Sequence, residues 1–279
     1  MLAAMMLFSA VAAQGPCAAE AGVHHDASAR ALVLRTAARD LPAPTGAGQY
    51  GSHHGHGKVS PLARFAWPAD GWARGFRVRI LDCAGTELGR VPRLHHALVL
   101  HLSRRELLYP VTARLMAIGQ ETDDVILPRG VGLRLAAGDS LGFLVSWGAG
   151  EQGPERVMLE VTIPYLPARA NPRPTDVIPF GFDVRYAPET GNAFDLPPGR
   201  SEHTREFVMP IDGHVLAAGG HLHDYAVSLE LIDTESGRTA RTLRGRRSPG
   251  PVEADRWRWS PPMSAAPSSA CAPTASTAI

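Results

Sequence analysis

Short runs of alternating apolar and polar residues are the feature that most limits what this chain can fold into. Phe76, Val78 and Ile80 alternate with Arg77 and Arg79, as expected for a strand with one buried face. Comparable runs of strand-forming residues lie at 93–102, 131–135, 141–147, 156–165, 176–186, 205–210, 214–218, 221–233 and 238–243. Glycine and proline turn signals separate them. The spacing predicts an all-β chain built from sandwiches of the jelly-roll kind.

A proline-rich break near 167–174 divides these runs into two tandem domains. We predict an N-terminal jelly-roll domain over 61–168 and a C-terminal one over 174–245. The second set has too few strands to close a sandwich and is predicted to be incomplete. From 246 to 279 the periodicity is lost, which predicts a disordered tail. A truncated or frameshifted end is favoured, and a natural disordered tail is the alternative.

The N-terminus resembles a secretory signal. An apolar run over 2–13 contains Ala-Val-Ala at 10–12 as a cleavage site, although no Lys or Arg precedes it. The run is too short to span a bilayer. We predict a signal peptide over 1–22, a secreted or periplasmic location and no membrane span. The three cysteines differ in their surroundings, so we predict no disulfide framework.

A His/Pro/Gly-rich segment over 23–60 is predicted to be disordered. It contains Ser-His-His-Gly-His-Gly at 52–57, and a solvated linker is favoured over a cation site at His53, His54 and His56. The charge balance, 28 basic against 27 acidic residues, argues against a nucleic-acid partner. The G-x-G-x-x-G pattern at 148–153 is followed by Pro154 and a strand. We interpret it as a loop, because a dinucleotide site needs a helix there.

His221 and His223 flank Leu222 in a strand-like run, so their imidazoles project from one face. Their Cα atoms would be about 6.5 Å apart, which suits two ligands of one ion. The same face continues with apolar residues, beginning with Tyr225 and Val227. A metal pair and a pair of core-edge histidines bonded to carbonyls both satisfy this pattern.

His95 and His96 are adjacent, so a regular strand would send their side chains to opposite faces. In that geometry His95 joins the face of Ala97 and His101, about 20 Å from the latter. Both histidines can bind one ion only if the strand is bulged or ends there. Local physics alone favours packing or hydrogen bonding at this pair.

Several motifs occur in an order that resembles the copper type II, ascorbate-dependent monooxygenases, the family of peptidylglycine α-hydroxylating monooxygenase and dopamine β-monooxygenase, and especially its bacterial relatives. The likeness covers roughly residues 60–245. It rests on five short stretches: His95-His96-Ala-Leu-Val-Leu100, Leu108-Tyr109, Leu127-Pro-Arg-Gly-Val-Gly-Leu133, Phe194-Asp-Leu-Pro-Pro-Gly199 and Gly219-Gly-His-Leu-His223.

The resemblance implies two tandem jelly-roll domains, each with one copper ion, and ascorbate as reductant. His95 and His96 would bind the first copper, which delivers an electron. His221 and His223 would bind the second, where oxygen is activated and a C–H bond hydroxylated. The substrate, whether a small molecule or a peptide, and the oligomeric state are not implied.

Two departures from the family pattern bear on activity. The strand expected to supply a third His reads Leu-Val-Ser-Trp-Gly over 144–148, and Met263 lies outside the context expected of a Met ligand. Two alternatives to an enzyme therefore follow. One is a non-enzymatic secreted or periplasmic copper-binding protein, and the other is a metal-free interaction sandwich.

Overall fold

The computed structural model describes residues 17, 21–44, 59–120, 122, 124–186, 197–220, 222 and 226–244, and the backbone of 259–265 and 270–278. Every regular element in these ranges is a β-strand, and none of their residues is helical. The all-β prediction is therefore confirmed. No helix of the described part is long and apolar enough to cross a membrane.

Fourteen strands lie between residues 22 and 176: β1 Gly22–Asp26, β2 Ala31–Arg35, β3 Arg39–Leu41, β4 Ala63–Ala66, β5 Gly71–Ala73, β6 Gly75–Asp82, β7 Glu87–Leu88, β8 Leu94–Arg105, β9 Thr112–Gly119, β10 Val125–Ile126, β11 Val131–Leu135, β12 Ser140–Trp147, β13 Glu155–Pro167 and β14 Thr175–Asp176. Ten belong to one sheet, in which β13 pairs with β2, β3, β5 and β6. The other four form a second sheet in the order β4-β12-β8-β9.

Seven strands follow: β15 Arg200–Thr204, β16 Phe207–Val208, β17 Gly213–Ala217, β18 Ala226–Asp233, β19 Arg238–Arg244, β20 Trp259–Ala265 and β21 Ala270–Ala278. A five-stranded sheet has the order β15-β21-β18-β19, with β16 paired to β21, and β17 pairs with β20. The sequence predicts no strand beyond 246, whereas β20 and β21 lie in that stretch.

Most of the buried apolar residues of the ten- and four-stranded sheets form one hydrophobic cluster. In β6, Phe76, Val78 and Ile80 are buried while Arg77 and Arg79 are exposed, which confirms the predicted alternation. Burying such a face is the main favourable term in folding. Which face of β6 and of the other strands of this core points inward is thereby fixed.

The predicted disordered segment 23–60 differs from the structure in its first part, where β1, β2 and β3 lie. Leu32 and Leu34 are 0% and 1% exposed in the common core, and β2 pairs with β13 along five residues. The short apolar run at 31–34 explains why this part is a strand, because adding it to the sheet buries two leucines. The prediction of disorder used the composition of the whole segment, in which this short run has little weight.

The strand predicted over 176–186 is wrong beyond Asp176, where β14 ends. Val177 N still donates to the Gly132 carbonyl of β11, but two later backbone N–H groups of this stretch bond to side chains. Gly181 N donates to Glu106 Oε1 at 2.9 Å, and Asp183 N donates to Tyr109 Oη at 2.9 Å. The loop between β8 and β9 therefore holds this segment. The loop predicted at 148–153 is confirmed, since it joins β12 to β13 without a helix.

Cys17 and Cys83 form a disulfide across 66 positions of sequence. The sequence argument against any disulfide framework therefore missed one bridge. Cys83 follows β6, and Cys17 lies ahead of β1, so the two were distant in the chain and had no shared sequence signal.

Candidate metal site

The outer face of the four-stranded sheet carries the His95–His96 pair. On β12, Leu141, Phe143, Val145 and Trp147 are all less than 4% exposed and face the core. Because side chains alternate along a strand, Ser146 lies on the opposite, outer face. Ser146 pairs in register with His96 of β8, which places His96 on that outer face too.

A β-bulge lies in β8 at His95. Ser146 is opposite His96, but the next residue, Trp147, is opposite Leu94. His95 is therefore the extra residue in the pairing, as a bulge requires. Leu94 and Ala97 are both 0% exposed, although three positions separate them. Without the bulge, a three-residue step would turn one of them away from the core.

The bulge brings the two imidazoles together. Their ring centroids are 3.9 Å apart, with 39° between the ring planes, and both residues are half-buried. The regular-strand assignment of His95 to the face of Ala97 and His101 is therefore wrong. The condition under which adjacent histidines can bind one ion, a bulged strand, is met.

Two small residues flank His96 across the sheet. Ser146 is its partner on β12, and Gly119 is its partner on β9. The Ser146 hydroxyl oxygen lies 3.4 Å from Nδ1 of His95. Sequence reasoning noted only that this strand has no histidine. Register across the sheet is the signal that brings Ser146 to the pair.

Arg93 anchors the chain just before the bulge. Its side chain is 5% exposed, and its Nη2 donates to Glu151 at 2.9 Å and to Glu155 at 3.0 Å. Its Nη1 donates to the Gly89 carbonyl, and its own carbonyl accepts from Gly148 N. Hydrogen bonding between Arg93 and Glu155 raises the pKa of the guanidinium and lowers the pKa of the carboxyl group.

His101, on the same strand, faces the core and is 1% exposed. Its Nε2 lies 3.1 Å from Asp139 Oδ2, an ion-pair distance, without the alignment of a good hydrogen bond. Burial acts to raise the pKa of Asp139, but the Ala136 N–H and His101 outweigh it, so this pKa is lowered. The bulge separates His101 from the His95–His96 pair by sheet face as well as by distance along the strand.

Two neighbouring imidazoles fit a copper ion by ligand type. In the described ranges, no group of three or more His, Cys, Asp or Glu side chains could hold a metal ion. Thus the His95–His96 pair offers two nitrogen ligands, and Ser146 is the polar side chain beside them. His221 and His223 lie outside the described residues, as do His53, His54 and His56. The strand predicted over 221–233 is wrong at Leu222, which belongs to no strand, because β18 begins only at Ala226.

No protein-family model matches the chain, and no curated protein matches it.

Proposed function

We propose that this chain is an exported, copper-binding relative of the copper type II, ascorbate-dependent monooxygenases. In this proposal, His95 and His96 hold one copper ion, while His221 and His223 hold a second. The reaction class is hydroxylation of a C–H bond with O2, with ascorbate as reductant. The family's two jelly-roll domains are part of the same proposal.

The observation that carries the proposal is the bulge at His95. A bulge disrupts the ladder and leaves one residue unpaired, and proteins use bulges to re-aim side chains next to active sites. Here it stacks two half-buried imidazoles at a ring-centroid distance of 3.9 Å on the sheet face away from the core. A shared metal ion gives a reason for two histidines to be held so close.

Bound copper would supply one-electron chemistry. The protein's own part is to hold two neutral imidazoles in place and to keep the start of β8 rigid. Arg93 does the latter through its bonds to Glu151, Glu155 and Gly89. Partners of this kind, behind the ligands, fix ring orientation and affect metal affinity in known sites.

Copper binding by the purified chain tests the proposal. All variants carry alanine at His53, His54 and His56, so that the histidine-rich stretch contributes no copper. We expect the double variant His95→Ala/His96→Ala to lose one equivalent of copper, because both ligands of one site are removed. His24→Ala is the matched control, since His24 is an exposed strand histidine, and it should keep the full amount.

Oxygen and ascorbate consumption with a panel of C–H substrates then tests the enzyme assignment. Turnover that disappears in the double variant supports it. Copper binding without turnover favours the second candidate, a non-enzymatic copper-binding protein. The presence of Ser146 where a third imidazole is expected also favours this candidate. Equal copper in the double variant and in the parent with the same three alanines would leave only a metal-free interaction sandwich for this sheet face.

A further inference from the structure

We infer that the strands after residue 197 dock onto the two sheets before it through one joint, in which the Arg205 guanidinium is the latch. The joint consists of Tyr109, Tyr186, Arg205 and Phe207. The inference goes beyond the proposed function and needs no bound metal. Among the described strands, no ladder pairs any of β1–β14 with any of β15–β21. Contact between these two parts of the chain therefore depends on side chains and on the segment 177–186 that connects them.

Tyr109 is the part of the joint that belongs to the first two sheets. It lies in the loop between β8 and β9 and is 5% exposed. Its hydroxyl accepts a hydrogen bond from Asp183 N at 2.9 Å and donates one to the Asp183 carbonyl oxygen at 3.3 Å. Burial raises the pKa of this phenol, so the hydroxyl keeps the proton that it donates. The hydroxyl end of Tyr109 is thus bound to the connecting segment, and its ring contacts other residues.

The ring of Tyr109 packs against aromatic rings from later in the chain. Its centroid is 4.6 Å from that of Tyr186 and 5.8 Å from that of Phe207, the latter in an edge-to-face contact. Phe182 lies on another side of Phe207, with 4.8 Å between the centroids. Aromatic pairs at such distances are favourable beyond their buried area. Phe207, which is 8% exposed, is therefore buried partly by residues outside its own sheet.

Arg205 joins these rings into one unit. Its Cζ lies 5.4 Å from the ring centroid of Tyr109 and 5.2 Å from that of Phe207, both within the range of about 6 Å for a cation–π contact. Its Nη1 donates to the Tyr186 carbonyl at 2.9 Å. A planar guanidinium can stack on rings and donate in its own plane at the same time. One side chain thus binds the β8–β9 loop, the connecting segment and the residue that begins β16.

Loss of the guanidinium should separate two levels of attachment. The connecting segment has its own bonds to the first two sheets, because Glu106 Oε1 accepts from Gly181 N at 2.9 Å and the Tyr109 hydroxyl binds Asp183. These bonds do not involve Arg205. Removing the Arg205 side chain should therefore undock β15–β21 while the connecting segment stays in place.

Hydroxyl-radical footprinting of the full chain, read by mass spectrometry, tests the latch. We expect Arg205→Ala to raise the labelling of Tyr109 and Phe207 about fivefold or more, because the cation that joins the two rings is lost. Trp67, which is 1% exposed in the first core, should stay unlabelled and so shows that this core is folded. Arg200→Ala is the matched control, since Arg200 is an exposed arginine of β15. Unchanged labelling of Tyr109 and Phe207 in Arg205→Ala would overturn the inference.

Tyr109→Phe separates the hydroxyl of Tyr109 from its ring. The variant loses the hydrogen bonds to Asp183 and keeps the ring on which Arg205 lies. We expect hydrogen exchange at the Asp183 amide to become faster, while Phe207 stays protected from labelling. Exposure of Phe207 in this variant would overturn the inference, because docking would then depend on the hydroxyl and not on the guanidinium.

A second substitution covers the case in which Arg205→Ala unfolds the chain and labels Trp67. Arg205→Gln then replaces it, since glutamine keeps a donor for the Tyr186 carbonyl and loses only the cation. The same rise in labelling of Tyr109 and Phe207 is expected. A folded Arg205→Gln variant in which both rings stay protected would overturn the role of the guanidinium as the latch.

Discussion

Arg93 is the single residue on which the geometry before the bulge most depends. Its guanidinium is 5% exposed and meets Glu155, which is 22% exposed. Removing one partner of a buried ion pair leaves an uncompensated charge, which costs about 3–5 kcal/mol when both groups are buried. The partial exposure of the glutamates reduces this cost.

We predict that Arg93→Met lowers the free energy of unfolding by about 2–3 kcal/mol, measured by urea denaturation. Arg156→Met is the matched control, because Arg156 and Asp40 form an exposed pair, 48% and 74% exposed. Exposed pairs contribute about 0.2–1 kcal/mol, so the control should change little. Equal losses in both variants would contradict a special role for Arg93.

The carboxyl group of Glu155 gives a prediction with a defined sign. Its pKa is lowered in the folded chain, chiefly by the hydrogen bond from Arg93. The ionised Glu155 carboxylate therefore stabilises the folded state at pH values above its pKa in the unfolded chain, about 4.3. This stabilisation is lost as the pH falls through the lower pKa that Glu155 has in the folded chain. Denaturation curves at pH 7 should separate the parent from Glu155→Gln. The two should converge as the pH is lowered through and below 4, and a constant difference would contradict the assignment.

At the scale of elements, the bulge in β8 is an inserted residue within an otherwise alternating strand. Leu94, Ala97 and Val99 are each 0% exposed, so the core face is continuous once His95 is set aside. Deleting one residue from a strand ordinarily turns every following side chain to the other face. Here a deletion at the bulge restores simple alternation.

We predict that deletion of His95 leaves the fold intact and changes the unfolding temperature little, while copper binding at the proposed site is lost. Deletion of Leu98 is the control, since it falls in the regularly paired part of β8. It should prevent folding or cause a large loss of stability, because either end of the strand would have to change face. Thermal unfolding and copper analysis of the two deletions distinguish these outcomes.

On the scale of the whole molecule, the Cys17–Cys83 disulfide ties the N-terminal segment to the turn after β6. It spans 66 positions of sequence. Closing a loop of this size restricts the unfolded chain and is worth roughly 4 kcal/mol in the loop-entropy account. The bridge is also the sort of feature that persists in oxidising compartments.

Cys83→Ser should therefore lower the free energy of unfolding by up to about 4 kcal/mol, as measured by denaturation without reductant. Adding reductant to the parent chain should give a similar loss. Cys271→Ser controls for replacing a cysteine outside this bridge. An unchanged midpoint in Cys83→Ser would show that the bridge contributes nothing to stability.

Under the proposed export, removal of the signal segment must be compatible with that bridge. Cys17 lies inside the predicted signal segment 1–22, so a mature chain that keeps the disulfide has to begin at or before Cys17. Cleavage after the Ala-Val-Ala sequence at 10–12 meets this requirement. We expect intact mass analysis of exported protein to show a chain that retains Cys17, and a mature N-terminus beyond residue 17 would contradict this.

The sequence by itself determined the strand character of the chain, because alternation is a local property. Phe76, Val78 and Ile80 faced the core as their two-residue period required. It also singled out His95 and His96 as a pair that needs a bulge to act together. Local pattern failed where pairing partners decide the outcome, as in β1–β3 and in 177–186.

Only the tertiary structure decided that the bulge exists and that Ser146 stands beside it. Both depend on the register of β8 against β12, which pairs residues about 50 positions apart in the sequence. Neither segment contains a local pattern that indicates this register. The bridge from Cys17 to Cys83 is of the same kind. Contacts between distant parts of the chain are set by the burial of the shared core, and a local pattern does not encode which strand a residue will meet.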